Sequence, residues 1–453
     1  MYAGLLAVLF LIGAVLRIQH VNDVRNRTPD EQYYTDLAED LLDHGITAGQ
    51  PAAKLAYVSA LATTFKVSGI HDARAGAWLS CAASIASLAA VGVIGMRFLP
   101  PSAALFAMFA MGLSTLDRVV ARRCWQEAIV EFMALVLVWS ACELVRDGRR
   151  RWPYVLLLIC GSGAVLMKQI ACLAVSAVML YVAAHFARRR DWRPFALVSA
   201  TASMSAAVAI SALALFGGGG RIWNIWNSYV TASIAEEWGT TYQSAPWYVF
   251  LGALPTLAPV ISVLAAITLC MSFLKPDLLR WLGLQFLSEE VSLMRLFSWV
   301  TAVGVLGVSL LPMTQNFRYL APVVGVCCLC ASMAPQAVVY AAGRYVPRFQ
   351  YPIIAVVAMA TLAAARADHR TFEQVFVKAD MQDLAIGFVQ MTPYITSGWY
   401  DAPSSETSGN ARRARANFRS ARGGYGPIAG VVDAAGDQTG RSTVHEEGTL
   451  YVE

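Results

Sequence analysis

Apolar residues in this chain gather into runs about as long as a membrane is thick. A helix needs about twenty mainly apolar residues to cross a hydrocarbon core of roughly 30 Å. Runs of this kind lie at residues 1–20, 75–98, 101–117, 125–145, 153–168, 170–187, 195–216, 247–274, 297–313, 318–341 and 351–365. The pattern predicts an all-α, polytopic membrane protein with about eleven transmembrane helices.

The polar residues divide the chain into two regions. Residues 1–365 hold all the apolar runs and are predicted to form one transmembrane helical domain. Within residues 366–453, the stretch 402–447 is rich in Gly, Ser, Ala and Arg and poor in large apolar side chains. Such a stretch buries little apolar surface, so the sequence predicts a polar, partly disordered C-terminal tail.

The composition agrees with a membrane protein. The chain is 57% hydrophobic and 14% charged, whereas about a quarter of the residues of a soluble domain are charged. Most of the nine cysteines lie inside apolar runs. They are therefore interpreted as small membrane-helix residues rather than as disulfide or metal ligands.

The arginines indicate which loops face the cytoplasm, because short loops rich in Arg and Lys stay on that side. The arginines at 146–151, 188–193 and 344–348 share one side if the apolar stretch around Lys168 is split into two helices. The tail is then outside, together with residues 21–74, 117–124, 217–246 and 314–317. The Arg- and Ala-rich, Lys-poor composition is typical of a bacterium with GC-rich DNA, so the expected location is the bacterial inner membrane with the active site on its outer face.

The first outer loop carries the most informative local pattern. Thr28, Pro29 and Glu31 form a helix-start signal with a capping box. Apolar residues on one face of 34–41 predict a short amphipathic helix along the membrane surface. Asp30 and Glu31 lie at its N-terminus, where the helix dipole favours ionised carboxylates. Two interpretations stay open: the acids only cap the helix, or Asp30 serves as a general base or cation ligand.

Several short motifs, taken in order over residues 1–340, resemble those of the type-C glycosyltransferases. Within that superfamily, the protein mannosyltransferase and aminoarabinose transferase branch is the most similar. The matching stretches are Asp30-Glu31-x-Tyr33-Tyr34, Lys54-Leu55-Ala56-Tyr57, Ala73-Arg74-Ala75-Gly76, Arg122-Arg123-Cys124-Trp125-Gln126-Glu127, Gly163 to Lys168, and Phe317-Arg318-Tyr319-Leu320.

The chain departs from the family pattern at two of these stretches. The double proline that usually follows the lysine is absent after Lys54, where Leu55 stands. Met167 precedes Lys168 where the family usually has Thr.

The resemblance implies a membrane glycosyltransferase that moves a sugar from a polyprenyl-phosphate donor to an acceptor hydroxyl on the outer side of the membrane. The acceptor is a glycan, a lipid or a protein, and no nucleic acid is expected as a partner. The implied catalytic carboxylates are Asp30 and Glu31. The implied ligands of the donor phosphate are Lys54, Arg74, Arg122, Lys168 and Arg318.

Further candidates are expected to contact the sugar or the acceptor. They are Tyr33, Tyr34, Glu127, Trp223 and Trp226. The two tryptophans belong to an aromatic loop that also fits an interfacial belt. No cofactor is implied with certainty, although Asp30, Glu31 and Glu127 offer oxygen ligands for a divalent cation.

Two other classes of function remain possible at this stage. One is a transporter or flippase of a lipid-linked sugar, and the other is a non-catalytic relative with a scaffolding role. A transporter usually places its charges at the bilayer midplane. Here the candidate charges gather at the predicted outer face, which favours the enzyme.

Overall fold

The computed structural model describes residues 2–25, 27–45, 54–217, 245–284, 286–311, 315–381 and 384–389. These residues form helices and their connections, with one isolated antiparallel bridge between Asn316 and Ala385. The predicted all-α, polytopic fold is confirmed. Trp223, Trp226 and the predicted tail from residue 390 onward lie outside the described residues.

The first half of the chain contains ten helices in the described residues. They are α1 (Tyr2–Ile18), α2 (Pro29–His44), α3 (Leu55–Ser68), α4 (Ala73–Phe98), α5 (Pro101–Leu113), α6 (Thr115–Ala121), α7 (Glu127–Arg146), α8 (Trp152–Met167), α9 (Ala171–Arg189) and α10 (Trp192–Gly217).

The second half adds seven helices in the described residues. They are α11 (Trp247–Leu257), α12 (Pro259–Ser272), α13 (Pro276–Trp281), α14 (Ser288–Leu310), α15 (Ala321–Tyr345), α16 (Gln350–Thr371) and α17 (Ile386–Val389). Short 3₁₀ turns at Phe317–Leu320 and Pro347–Phe349 precede α15 and α16, and a π-helical turn at Phe372–Lys378 follows α16.

Each of the predicted apolar runs lies on one helix or on a pair of consecutive helices. Seven described helices are long and apolar enough to span a membrane, and up to nine spans result if each bent pair counts as one. Two shorter apolar helices, α1 and α8, account for the other runs.

Two predicted spans are broken rather than continuous. The run at 247–274 is divided into α11 and α12, which meet at an angle of 120°. Pro259 explains the break, because a proline disfavours helical geometry in the residue before it, and Ala258 has φ −146° and ψ 66°. The run at 101–117 bends by 51° at Ser114, whose hydroxyl accepts a hydrogen bond from the Asp117 amide and starts α6.

The core of the fold is built around α7 and α15. In their apolar windows 78% and 72% of the residues are buried, the largest shares among the candidate spans of the described chain. The two helices pack on each other and on α4, α5, α8, α12 and α14. A hydrogen bond from the Gly325 amide to the Glu131 carboxylate, at 3.1 Å, joins them inside the core.

A buried ion pair ties the N-terminal helix to this core. Arg17 of α1 pairs with Asp117 of α6 and donates to the Met111 carbonyl oxygen at 2.9 Å. Ser84 of α4 donates to Asp117 at 2.8 Å. A charge inside the hydrocarbon region is costly unless it is paired and hydrogen-bonded, so this network fixes α1, α4 and α6 together.

The first loop contains two helices instead of the single one predicted. Helix α2 begins after Thr28 with the expected capping box. Helix α3 was not predicted, and it ends at Gly69, whose φ of 69° forms a left-handed C-cap. The two helices pack against each other, so Lys54, at the start of α3, is brought close to the beginning of α2.

Helical structure also continues beyond residue 365, where the sequence predicted the polar tail to begin. Helix α16 and the following π-helical turn reach Lys378. Phe372, Val375 and Phe376 of this turn are buried. In the described chain, helical structure therefore extends past residue 365.

Candidate active site

Five charged residues from distant parts of the chain meet beside the N-terminus of α2. They are Asp30, Lys54, Glu127, Lys168 and Arg318, which we call the charged cluster. Arg318 pairs with Asp30 at 2.7 Å and lies 3.6 Å from Glu127. Lys168 pairs with the same oxygen of Glu127. Three cations against two carboxylates leave the cluster with one excess positive charge.

Each member of the charged cluster comes from a turn or a helix end. Glu127 is the first residue of α7, and Lys168 occupies the break between α8 and α9. Arg318 lies in the 3₁₀ turn before α15, where the Asn316 side chain accepts a hydrogen bond from its amide at 3.0 Å. A turn or a helix end can direct a polar side chain away from the surrounding lipid.

Aromatic rings surround the cations of the cluster. The Lys168 ammonium lies 4.4 Å from the centroid of the Tyr319 ring. The Lys54 ammonium lies 5.2 Å from Tyr33 and 4.9 Å from Tyr34. Aromatic faces attract cations at such distances, so the rings help to hold these ammonium groups in place.

Trp125 and Tyr319 were not selected as site residues from the sequence. The Arg318 guanidinium lies 5.3 Å from the Trp125 ring and 5.4 Å from the Tyr319 ring. Both residues stand inside motifs that carried the family resemblance. The sequence signal for a role in the site was their position. Trp125 lies just before the helix that begins at Glu127, and Tyr319 directly follows Arg318.

Asp30 is the accessible one of the two carboxylates in the first turn of α2. Its side chain is 38% exposed. Burial tends to raise the pKa of Asp30, but Arg318, Lys54 and Lys168 outweigh it and hold that pKa below the ordinary value. Burial, with Lys168 and Arg318 nearby, lowers the pKa of the Lys54 ammonium. Asp30 is therefore ionised at neutral pH and faces three basic groups.

Glu31 does not share this environment. Its carboxylate is buried and accepts hydrogen bonds from the amides of Thr28 at 2.8 Å and Cys124 at 2.9 Å. It also pairs with Arg27 at 3.2 Å and with Arg123 at 3.3 Å. These donors occupy both of its oxygens. The contacts make Glu31 a link between α2 and the turn after α6.

Two of the predicted phosphate ligands have other partners. The Arg74 side chain is 61% exposed and pairs with Asp72 at 2.7 Å. Arg122 is buried, donates to the Phe376 carbonyl oxygen at 2.5 Å and lies 3.7 Å from Asp380. The structure does not bring either guanidinium into the charged cluster.

The predicted tyrosines occupy different positions. Tyr33 is 41% exposed, whereas Tyr34 is 4% exposed. Tyr34 packs edge-on against Tyr57 of α3 with the ring centroids 5.1 Å apart. Tyr33 is therefore available to a substrate, and Tyr34 mainly joins α2 to α3.

The described residues contain no group of three or more His, Cys, Asp or Glu side chains placed to hold a metal ion. Of the three acids predicted as possible metal ligands, Glu31 is taken up by its own partners. Asp30 and Glu127 lie on either side of Arg318.

Solved structures of membrane glycosyltransferases share this architecture. ArnT from Cupriavidus metallidurans in the apo state matches with a TM-score of 0.55 and 14% identity, over 87% of this chain and 71% of ArnT. The same enzyme bound to undecaprenyl phosphate gives the same score, over 69% of its length. The archaeal oligosaccharyltransferase AglB from Archaeoglobus fulgidus matches with a TM-score of 0.50 and 12% identity, over 89% of this chain and 60% of AglB. The fold is that of a type-C glycosyltransferase.

The sequence identifies the family more narrowly. Residues 56–407, well over half of the chain, match the sequence model of the Alg9-like mannosyltransferase family. The chain belongs to the Alg9-like mannosyltransferase family and is a multi-pass membrane glycosyltransferase. No protein with a curated description matches it significantly. Family membership supports the enzyme over the transporter or flippase considered from the sequence.

Proposed function

We propose that the charged cluster transfers a sugar from a polyprenyl-phosphate donor to an acceptor hydroxyl at the outer face of the membrane. The observation that carries this proposal is the accessible Asp30 carboxylate, held 2.7 Å from Arg318 with Lys54 and Lys168 beside it. A carboxylate and a set of cations are what the two halves of this reaction need. The solved ArnT complex with undecaprenyl phosphate supports the class of donor.

The three cations bind the phosphate of the donor and stabilise its departure. The Arg318 guanidinium carries five N–H groups and the Lys168 ammonium three, and both side chains contact the same oxygen of Glu127. Glu127 thus holds the Arg318 and Lys168 side chains close to each other. The excess positive charge of the cluster attracts a phosphate and offsets the negative charge that develops as the sugar leaves.

Asp30 accepts the proton of the acceptor hydroxyl. The acceptor oxygen forms a bond to the anomeric carbon of the sugar while the bond from that carbon to the phosphate oxygen breaks. The lipid phosphate leaves with the bonding electrons, and the hydroxyl proton moves to an Asp30 carboxylate oxygen. Tyr33, exposed beside Asp30, contacts the sugar or the acceptor.

Donor binding prepares Asp30 for this role. In the free enzyme Arg318, Lys54 and Lys168 lower the pKa of Asp30 and make it a weak base. A bound phosphate shares these cations, which weakens their hold on the Asp30 carboxylate and raises its basicity. The base therefore becomes stronger only when a sugar is ready to be transferred.

The arginine-rich loops support the proposed sidedness. Residues 149–151 and 188–193 contain seven arginines and lie at the opposite helix ends from Glu127 and Lys168. Since basic loops stay cytoplasmic, the charged cluster belongs at the outer face.

Removal of divalent cations should have little effect on the reaction. Because three basic side chains already face Asp30, we expect EDTA to lower the transfer rate by less than about twofold.

The test is transfer by the purified protein in nanodiscs, supplied with radiolabelled polyprenyl-phosphate sugars, mannose first, and with undecaprenyl phosphate as a competitor. We expect one donor to be consumed and undecaprenyl phosphate to inhibit competitively. Lys168→Gln should weaken this inhibition about 10²-fold, whereas Arg74→Gln should leave it unchanged. Equal effects of the two substitutions would contradict the assignment of Lys168, and turnover of none of the donors would contradict the proposed reaction.

A further inference from the structure

The residues that follow α16 contact two parts of the chain that adjoin the charged cluster, the region before α7 and the turn that carries Arg318. We call residues 372–381 and 384–389 the post-α16 segment. Its side chains Phe372, Val375, Leu384 and Ile386 are buried. Neither the sequence pattern nor the proposed reaction assigns a function to this segment.

The first part of the segment contacts the turn between α6 and α7. The Arg118 guanidinium lies 3.6 Å from the centroid of the Phe372 ring. Arg122 donates to the Phe376 carbonyl oxygen at 2.5 Å, and Arg123 donates to the Met381 carbonyl oxygen at 2.9 Å. Buried arginines are costly without acceptors, and the segment supplies a carbonyl oxygen each to Arg122 and Arg123 and an aromatic face to Arg118.

Arg123 connects this contact to the candidate base. Its guanidinium also pairs with the Glu31 carboxylate at 3.3 Å. Glu31 is the neighbour of Asp30 and holds the N-terminus of α2 against the amide of Cys124. The path from Met381 through Arg123 and Glu31 therefore fixes the position of Asp30.

The second part of the segment pairs with the chain just before Arg318. The Phe317 amide donates to the Leu384 carbonyl oxygen at 2.9 Å, and the Ile386 amide donates to the Gln315 carbonyl oxygen at 3.0 Å. The Phe317 ring stacks on Phe250 with the centroids 4.2 Å apart. These contacts fix the backbone from which the Arg318 side chain extends.

We propose that the post-α16 segment positions both partners of the Asp30–Arg318 pair, acting through Arg123 of the α6–α7 turn on one side and through its own Ile386 on the other. The geometry carries this inference, because one end of the segment leads to Asp30 and the other to Arg318. Its consequence for catalysis rests on the proposed function. A misplacement of about 1 Å in a catalytic group costs roughly 10²-fold in rate, so a segment that holds both groups has a direct effect on donor use.

The test removes one hydrogen-bond donor at Ile386. Proline lacks the amide hydrogen and is tolerated at the first residue of a helix, which is the place of Ile386 in α17. The preceding Ala385 lies in an extended bridge, a conformation that suits a residue before proline. Ile386→Pro therefore deletes the bond to Gln315 with little strain. Ile386→Ala is the matched control, because it shortens the side chain further but keeps the amide.

Two measurements follow on the full-length protein in nanodiscs. Hydrogen exchange of the peptide that contains Phe317 should be faster in Ile386→Pro and unchanged in Ile386→Ala. The Kd for undecaprenyl phosphate and the KM for the donor should rise about three- to tenfold in Ile386→Pro only. The KM for the acceptor should not change.

The outcomes separate positioning from a general loss of structure. A variant that merely folds less well lowers kcat and leaves Kd and KM as they were, and that result would overturn the inference. Equal behaviour of the proline and alanine variants would also overturn it. If the wild type binds no undecaprenyl phosphate, the proposed function fails, and the exchange of the Phe317 amide alone then decides whether the segment holds this turn.

Discussion

Asp30 and Glu31 are neighbours with the same functional group, but their surroundings give them different tasks. Successive residues of a helix point about 100° apart, because a turn takes 3.6 residues. Asp30 faces Arg318 and the accessible part of the charged cluster. Glu31 faces Arg123 and the Cys124 amide in a buried position. Asp30 is therefore accessible, whereas Glu31 holds the start of α2 against the turn after α6.

The two acids should respond differently to loss of charge. Glu31→Gln leaves the buried Arg123 without its carboxylate partner, and breaking a buried pair in this way costs about 3 kcal/mol. We expect a clear loss of stability in Glu31→Gln, measured by thermal unfolding in detergent, and almost none in Asp30→Asn. The opposite order of stabilities would contradict the structural role of Glu31.

The pH dependence of the enzyme reports the charges around Asp30. The Asp30 carboxylate faces Arg318, Lys54 and Lys168. Arg318 and Lys168 also contact Glu127. Because the cations hold the pKa of Asp30 below its ordinary value, the carboxylate stays ionised until the pH falls through that lowered pKa. The acid limb of kcat/KM should therefore lie below the ordinary range for Asp, which is near pH 4.

Removal of one cation should move this limb. Lys54→Gln withdraws a charge that lowers the pKa of Asp30, so the acid limb of kcat/KM is expected at a higher pH than in the wild type. Lys66→Gln is the matched control, since Lys66 is an exposed residue of the same helix α3. An acid limb that stays in place in Lys54→Gln would show that Asp30 is not the group being titrated.

Helices and turns explain how the charged cluster is assembled and why part of it was predictable. The capping box at Thr28 was visible in the sequence, so α2 was predicted and is confirmed. Lys168 was singled out because a lysine between two apolar runs on the outer side is unusual, and it lies in the break after α8. The same argument applied to Arg318 in its short loop.

Other features depend on tertiary contacts that a linear pattern does not contain. Arg122 and Arg123 are adjacent, and only the turn after α6 decides that Arg123 faces Glu31 while Arg122 faces Phe376. Helix α3 is buried against α2 and α4 rather than crossing as a long apolar run, so hydropathy gave no sign of it. The packing of residues 384–389 against Gln315 joins parts of the chain about seventy residues apart.

The close packing of α4 on the turn before α7 offers a test at this scale. A Cβ atom added at Gly76 would lie 2.1 Å from the Cys124 sulfur and 2.8 Å from the Cys124 Cβ. The turn that binds Glu31 would have to move, and overpacking of this kind costs about 1–3 kcal/mol. Gly76→Ala should therefore lower the thermal stability, whereas Gly4→Ala, with nothing within 4 Å of the new Cβ, should not. Equal melting temperatures would contradict the close approach of Gly76 to this turn.

The whole molecule brings together residues that are far apart in sequence. Its apolar runs indicate where the chain can cross the membrane, because a span needs about twenty consecutive, mainly apolar residues. The site depends on how α2, α7, the α8–α9 break and the turn before α15 meet around one point. The fold class could therefore be predicted from the sequence. Only the structure showed which of two neighbouring charged residues faces the charged cluster.

The central claim is that Asp30 is the base of a sugar transfer from a lipid phosphate. The most direct measurement is single-turnover transfer from the preferred polyprenyl-phosphate sugar by the wild type, Asp30→Asn and Asp43→Asn, at equal amounts of folded protein. Asp43 is an exposed acid of the same helix, which makes it the matched control. We expect Asp30→Asn to slow transfer by at least about 10²-fold while still binding undecaprenyl phosphate, and Asp43→Asn to match the wild type. Transfer at the wild-type rate by Asp30→Asn would contradict the account.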